Sequence, residues 1–261
     1  MGYAGDNFPR YTIPSIVGRP MLRSKQDVGG IELKEIMFGE EAAPYRALLD
    51  ITYPIDEGKV RNWEDFSALW SYTFHTRMGI PKDLSEKKIL VTEAALNPAK
   101  NREKLLEMIF EHHGFGSCMF EAQALLSLMC EGCTTGIVFD SGDGVSHVIP
   151  VVEGYVQRHA VHRLNLAGRH VTNYLVRLLM LSGYAFNSSA DFETVRDIKE
   201  RLCFVAYDTK KQRKLANETT VLDKEYNLPD KQVIKVGRER YEAAECLFNP
   251  QLANVEDQGI H

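Results

Sequence analysis

The sequence has no long apolar run: nothing in its 261 residues approaches the roughly 20 consecutive apolar residues that a membrane-spanning helix requires. Residues 1–10 contain no hydrophobic core of the kind a secretory leader needs, and a cytoplasmic location is expected. Positive charge is not in excess either. The 31 Lys and Arg are outnumbered by 36 Asp and Glu, giving a net charge of −5, so no chain-wide basic field exists to hold a phosphate backbone and nucleic acid is not an expected partner. Cysteines are few and odd in number. The five, Cys118, Cys130, Cys133, Cys203 and Cys246, do not form the framework of a small secreted domain, and reduced thiols are the simpler expectation. Cys130-Glu131-Gly132-Cys133 is a C-x-x-C with Cys118, His112 and His113 upstream. Without a second pair at finger-like spacing it is a weak zinc signal, and the plainer reading is two small buried thiols at a helix end. Low-complexity tracts and short-period repeats are also missing, which excludes a solenoid or a propeller.

What is present is the balance of a globular protein. Hydrophobic residues make up 44% and charged residues 26%, in a chain long enough for one large domain or two ordinary ones. Lys88 to Thr92 (K-I-L-V-T) reads as a buried strand. Asn97-Pro98 follows as a helix entry, Asn capping free amides and Pro standing at the first helical position. The helix is expected over 98–113, with Gly114 as its left-handed C-terminal cap. A second helix is expected over 121–130, then a buried strand over 134–140. Val145 to Tyr155, rich in β-branched residues, reads as the hairpin partner of that strand. Downstream, amphipathic helices are expected over 168–181 and 191–203, and strands over 219–226 and 232–236 joined by a type I turn centred on Pro229-Asp230. Strands and helices interleave, so the class is α/β with mixed sheets covered by helices.

The chemistry lies in the hairpin connection. Asp140-Ser141-Gly142-Asp143-Gly144 sets two carboxylates and two glycines in a tight turn at a strand end. Glycines let backbone approach a ligand, and successive N–H groups in such a turn form a nest for phosphate oxygens. The carboxylates suit Mg²⁺ held through its water shell. Taken alone, the same residues also suit an ordinary hairpin turn. Two further side chains fit the phosphate reading: His147, three residues beyond the turn, and Gln123, at the start of the preceding helix, have the chemistry to orient a water for attack on phosphorus. Each has a plainer alternative, Gln123 as a capping-region side chain and His147 as a hydrogen-bonded strand residue.

D-S-G-D-G-V-S-H, followed by V-I-P-V-V-E-G-Y and R-L-N-L-A-G-R-H-V-T-N-Y-L, resembles the second phosphate loop of the actin superfamily and the segment after it. The resemblance runs through the chain, from G-Y-A-G-D-N-F-P-R through T-E-A-A-L-N-P-A-K-N-R-E-K to E-C-L-F-N-P. Arg61-Asn62-Trp63, A-F-N-S-S-A-D-F-E-T-V-R and K-L-A-N-E-T-T-V-L are similar to the actin-related protein 2 branch rather than to conventional actin, and Glu57 stands where conventional actin has a histidine.

The resemblance implies an actin-like ATPase (ribonuclease H-like) fold, two lobes with mixed sheets flanked by helices, here incomplete. It implies a first subdomain over 1–14 and 56–130, a second over 15–55, a third over 131–166 and a fourth over 167–256, with 257–261 beginning a truncated remainder. It also implies ATP with Mg²⁺, slow hydrolysis at most, and membership of the actin-related protein 2/3 complex, with actin-related protein 3, the other subunits and actin filaments as partners. Gly142, Asp143 and Gly144 would hold the β- and γ-phosphates, Asp140 would order the waters of the metal, and Gln123 and His147 would orient the hydrolytic water. Gly168 would lie near the nucleoside, and Arg196, Lys199 and Glu200 would line adenine and ribose. The plain alternative for those three is a solvated helix face beside an Asp197–Arg201 pair. A self-assembling actin-like ATPase is the alternative function.

Against the family pattern, the first phosphate loop, the rest of the third subdomain, the glycine-rich adenine loop and the helices that close the first subdomain are expected but missing, so the chain alone is expected to bind Mg-ATP weakly or not at all and to dissolve poorly. Glu121 stands where a small apolar residue is expected. Lys231 replaces a turn glycine, at a cost of about 1 kcal/mol where the backbone is left-handed.

Overall fold

The structure, a computed structural model, describes residues 1–21, 33–81, 83–228 and 231–261, and divides into two compact units: residues 1–139 with 148–161, and residues 140–147 with 162–261. In the first unit β1 (Val17–Pro20) lies between β2 (Met37–Phe38) and β3 (Leu49–Thr52), antiparallel to both. The inward residues Ile16, Met37, Leu49 and Ile51 form a small core of their own. β4 (Ile55–Asp56) and β5 (Lys59–Val60) make a two-residue hairpin whose central Glu57 and Gly58 both have positive φ, 48° and 70°, as a turn matched to strand twist demands.

α1 (Trp63–Ser71) starts at Asn62, whose side chain accepts the Asp65 N–H at 3.1 Å. Asp65 itself is buried. Arg19, Thr52 and Asn62 all donate to its carboxylate, and the guanidinium holds it below the usual carboxylate range. α1 runs on into a π-helical turn, Tyr72–Arg77. β6 (Lys88–Glu93) and β7 (Ser117–Ala122) then pair in parallel, joined through α2 (Ala99–Glu107) and a second π-helical turn, Met108–His112. Phe66, Trp70, Phe74, Met108, Ile109 and Phe115 pack into the largest core of this unit. α3 (Gln123–Cys130) buries Ala124 and Leu125 against Ile149 and Val151 of β9 (Ser146–Val152), the strand that pairs with β8 (Gly136–Ser141) and with β10 (Tyr155–Val156).

The second unit holds β11 (His162–Leu164), α4 (Gly168–Leu181), α5 (Ser189–Leu202), α6 (Thr209–Glu218), the antiparallel pair β12 (Lys224–Asn227) and β13 (Val233–Val236), and α7 (Glu239–Glu245). The apolar stripe of α4, with Val171, Leu175, Leu178 and Leu179, meets Val195 and Ile198 of α5, Ile234 and Val236 of β13, and Ala243 of α7. α5 begins at Ser188, which caps the Asp191 N–H while the Asp191 carboxylate accepts back from the Ser188 N–H.

Element types agree with the sequence reading, but several details are corrected. β6 and β8 are not buried on both faces: burial alternates along each, leaving Leu90, Ile137 and Phe139 exposed, so each carries one packed and one open face. Asn97 does not cap α2. Its amide donates to Glu93, which Arg102 also engages, and Pro98 becomes the residue before the first turn. Residues 121 and 122 belong to β7, so the helix after it begins at Gln123. The expected partner strand over 145–155 breaks at Glu153-Gly154, both with positive φ, into β9 and β10. Residues 219–223 turn before β12 begins. Gly114 is left-handed as expected, with φ 71°; Lys231 is left-handed too, with φ 70°, so the cost attached to that condition applies; Pro229 and Asp230 lie outside the described residues.

His113 carries a pH dependence. It is buried against Trp70 and Phe74, and burial, with His112 and His75 adding to it, pushes its imidazole down to about 4. The unfolded chain binds this proton near pH 6.5 and the folded chain only near 4, so the contribution is whole above 6.5 and is lost as pH falls towards 4. Urea unfolding of the wild type is expected to weaken across that window by roughly 2–3 kcal/mol more than that of His113→Phe. Equal slopes in the two proteins would remove His113 as the cause.

Candidate functional site

The turn that the sequence singles out lies in the second unit. β8 ends on Asp140 and Ser141, β9 leaves from Ser146, and the Gly142 N–H closes the turn on the Val145 carbonyl at 3.1 Å. Below it sits a serine pair. The Ser146 hydroxyl, fully buried, donates to the Leu166 carbonyl at 2.6 Å. Having only one proton, it must receive the one from Ser141, 2.7 Å away.

α4 begins directly after this point with no capping side chain, because the residue before it is Ala167. The turn supplies the cap. The Gly168 N–H donates to the Gly142 carbonyl at 3.0 Å and the Arg169 N–H to the Asp143 carbonyl at 2.7 Å, so two of the orphan donors of the helix are satisfied by backbone from another segment. The Arg169 guanidinium also pairs with the Asp143 carboxylate at 2.9 Å. Gly168 leaves little room: a Cβ there would stand 3.3 Å from both the Gly142 oxygen and the Lys199 ammonium. Lys199 reaches across from α5 and donates to the Gly168 carbonyl at 3.1 Å. Burial draws its pKa below the usual lysine value, with the Asp143 carboxylate acting in the opposite sense.

Gly142, Asp143, Gly168 and Lys199 are thus brought together, with Gly144 following in the same turn. Arg196 and Glu200 pair with each other at 3.7 Å on α5, and Arg196 also holds the buried Glu193 at 3.0 Å. Asp197 and Arg201 make the expected i,i+4 pair at 2.9 Å. His147 is 2% exposed, and its Nε2 has no hydrogen-bond partner among the described residues. Burial first, then Arg163, lowers its pKa, while Asp140 pulls the other way. Gln123 belongs to the first unit, exposed on the first turn of α3, where its amide reaches the Thr92 hydroxyl at 3.5 Å.

The sequence reading missed Ser141, Ser146 and Arg169. No sequence signal pointed to them; what Leu166-Ala167 in place of Ser, Thr or Asp does signal is that the helix must find its cap elsewhere, here on the Gly142 and Asp143 carbonyls. The C-x-x-C reading is corrected as well: Cys130 and Cys133 are exposed, not buried, because both follow the packed part of α3 in a turn closed by Gly132 with φ 73°.

The donor set suits a polyanion. Among the described residues the Asp143 and Gly144 amides have no acceptor, the Lys199 ammonium stands beside them, and His147 Nε2 is a buried polar atom left over. The described residues include no group of three or more metal-ligating side chains. Ser146→Ala is expected to cost about 1–3 kcal/mol by orphaning the Leu166 carbonyl, and to speed hydrogen exchange at the Gly168 and Arg169 amides. Unchanged exchange at those two amides would show that the turn does not depend on the serine pair.

The sequence model described as Actin matches residues 1–260. Among curated proteins, the chain is 51% identical to actin-related protein 2 of Schizosaccharomyces pombe over 260 residues, which is 100% of this chain and 66% of that protein. It is 51% identical to actin-related protein 2 of Acanthamoeba castellanii over 260 residues and to that of Drosophila melanogaster over 264, in each case over 99% of this chain and 66% of the relative. The chain therefore spans a little under two thirds of the length of these relatives.

Proposed function

Because the chain belongs to the actin family, we propose that it is an ATP-binding actin-related subunit that pairs with actin-related protein 3 in the actin-related protein 2/3 complex and takes part in nucleating branched actin filaments in the cytoplasm. The observation that carries this reading is 51% identity, along the whole chain, to actin-related protein 2 from three organisms. The site supports its nucleotide half. The Asp143 and Gly144 amides and the Lys199 ammonium would take the phosphate tail, and Asp140 would order the water shell of Mg²⁺. His147 and Gln123 would orient a water, and Arg196 and Glu200 would face the nucleoside beside Gly168. ATP bound there would supply a phosphoanhydride, cleaved slowly at most. The four-subdomain division belongs to the same proposal.

The polypeptide itself binds and positions. The ion pair with Arg169 offsets the negative charge of the Asp143 carboxylate, which would otherwise repel an incoming anion. Lys199 loses its proton below the usual lysine value, so nucleotide affinity should fall as pH rises towards that point.

Affinity purification of the tagged chain from its own cells is expected to recover an actin-related protein 3 at about one to one. Labelling of that assembly by a photoreactive ATP analogue should weaken by roughly 10-fold or more in Lys199→Met, as loss of a hydrogen bond to a charged group predicts. Recovery of filaments of the chain alone, with no actin-related protein 3, would favour the self-assembling ATPase instead.

A further inference from the structure

The first unit carries a second concave surface, remote in sequence from the phosphate turn. An open groove of about 1040 Å³ runs between α1 with its π-helical turn and the α2 helix with its own. Its floor is apolar, made by Trp63, Ala68, Tyr72 and Met108, with Phe38 at one side, stacked on Tyr72 at 5.3 Å. From Trp63 to Thr76 the wall is 14 residues long, about 20 Å of helix, enough to lie alongside about four turns of a second helix.

The rim is acidic. Glu64, Glu107 and Glu111 line the groove, all exposed, and none forms an ion pair among the described residues. Several other carboxylates of this unit do have a cation: Glu40 pairs with Arg77, Glu41 with Lys34, Glu93 with Arg102 and Asp65 with Arg19. Among the described residues that line the groove, Lys104 is the one ammonium and lies over the Trp63 ring at 5.3 Å, and His112 is the other basic side chain. Three carboxylates against one committed ammonium leave the groove net negative around an apolar floor.

We propose that this groove is a docking surface for an amphipathic helix of a partner protein whose apolar face is flanked by Lys or Arg. The apolar stripe would cover Trp63, Tyr72 and Met108, and the flanking cations would meet Glu64, Glu107 and Glu111. A segment with acidic flanks meets like charges at all three positions, so the groove discriminates by repulsion as well as by attraction.

The test uses two synthetic helices of about 14 residues, with leucine at the same i, i+3, i+4, i+7 positions and either lysine or glutamate elsewhere. Trp63 is one of only two tryptophans and the other, Trp70, is buried, so fluorescence reports on the groove directly. The lysine helix is expected to shift Trp63 emission with saturable binding that weakens as salt rises, and the glutamate helix to leave it unchanged. Reversing two exposed rim charges, Glu107→Lys with Glu111→Lys, should weaken binding by about tenfold or more. Filling the floor with Ala68→Trp should abolish binding, read by anisotropy of labelled peptide. Equal binding of the two helices, or lysine-helix binding that survives both variants, overturns the proposal. Concentration-dependent self-association that buries Trp63 without peptide overturns it too, assigning the groove to a second copy of the chain.

Discussion

The second unit is organised around one substitution of partners: the first amides of α4 are capped by the carbonyls of Gly142 and Asp143 and not by a side chain. A helix start must place its free donors somewhere, and an uncapped start costs about 1 kcal/mol or more. Here the cost is avoided only while the turn stays against the helix. The arrangement has a consequence for ligand chemistry. A helix N-terminus is ordinarily an anion site, but two of its donors at α4 are already committed to the turn. The donors left over are the next two amides of the turn itself, Asp143 and Gly144, so the positive end of the helix shapes the loop, and the loop presents the site.

Gly168 is where this arrangement meets α5. Its amide reaches one carbonyl of the turn, its own carbonyl receives Lys199, and the space a side chain would fill is taken by the Gly142 oxygen and the Lys199 ammonium. Alanine would need both neighbours to give by a few tenths of an ångström. The position of Lys199 therefore depends on an absent methyl group 31 residues away in sequence. Asp143 is tied to Arg169 in the same region, so a cation and an anion of the site are each held by groups that the sequence motif does not contain.

This explains how far the sequence could be read. The strands and helices were legible because their apolar residues recur at the right periods: 168–181 is helical to the residue, and 191–203 differs from the observed Ser189–Leu202 only at its ends. The turn was legible because glycine and aspartate are few enough between two β-branched runs to mark it. Burial was less legible. K-I-L-V-T and T-T-G-I-V-F-D read as buried from composition, yet Leu90, Ile137 and Phe139 face outward, since an apolar run does not say whether a second layer covers its other face. Lys231 meets the condition set for it, a left-handed backbone at φ 70°, where a side chain costs about 1 kcal/mol. Ser146, Arg169 and the cap of α4 depend on contacts over 20 or more residues, and periodicity carries no information about those.

His147 and His113 show that similar burial gives different functional prospects. Both imidazoles are almost wholly buried and both are driven towards the neutral form. His113 is enclosed by aromatic rings, where a neutral imidazole acts as one more packing element and its titration serves only stability. His147, in the strand that leaves the Asp140–Gly144 turn, feels the opposing charges of Asp140 and Arg163, and its Nε2, like that of His113, has no hydrogen-bond partner among the described residues. A neutral imidazole has one donor and one acceptor nitrogen, which suits it to hold a water in a fixed orientation. What separates the two residues is the charge of their neighbours, so a buried histidine becomes a candidate functional group only where charged side chains surround it.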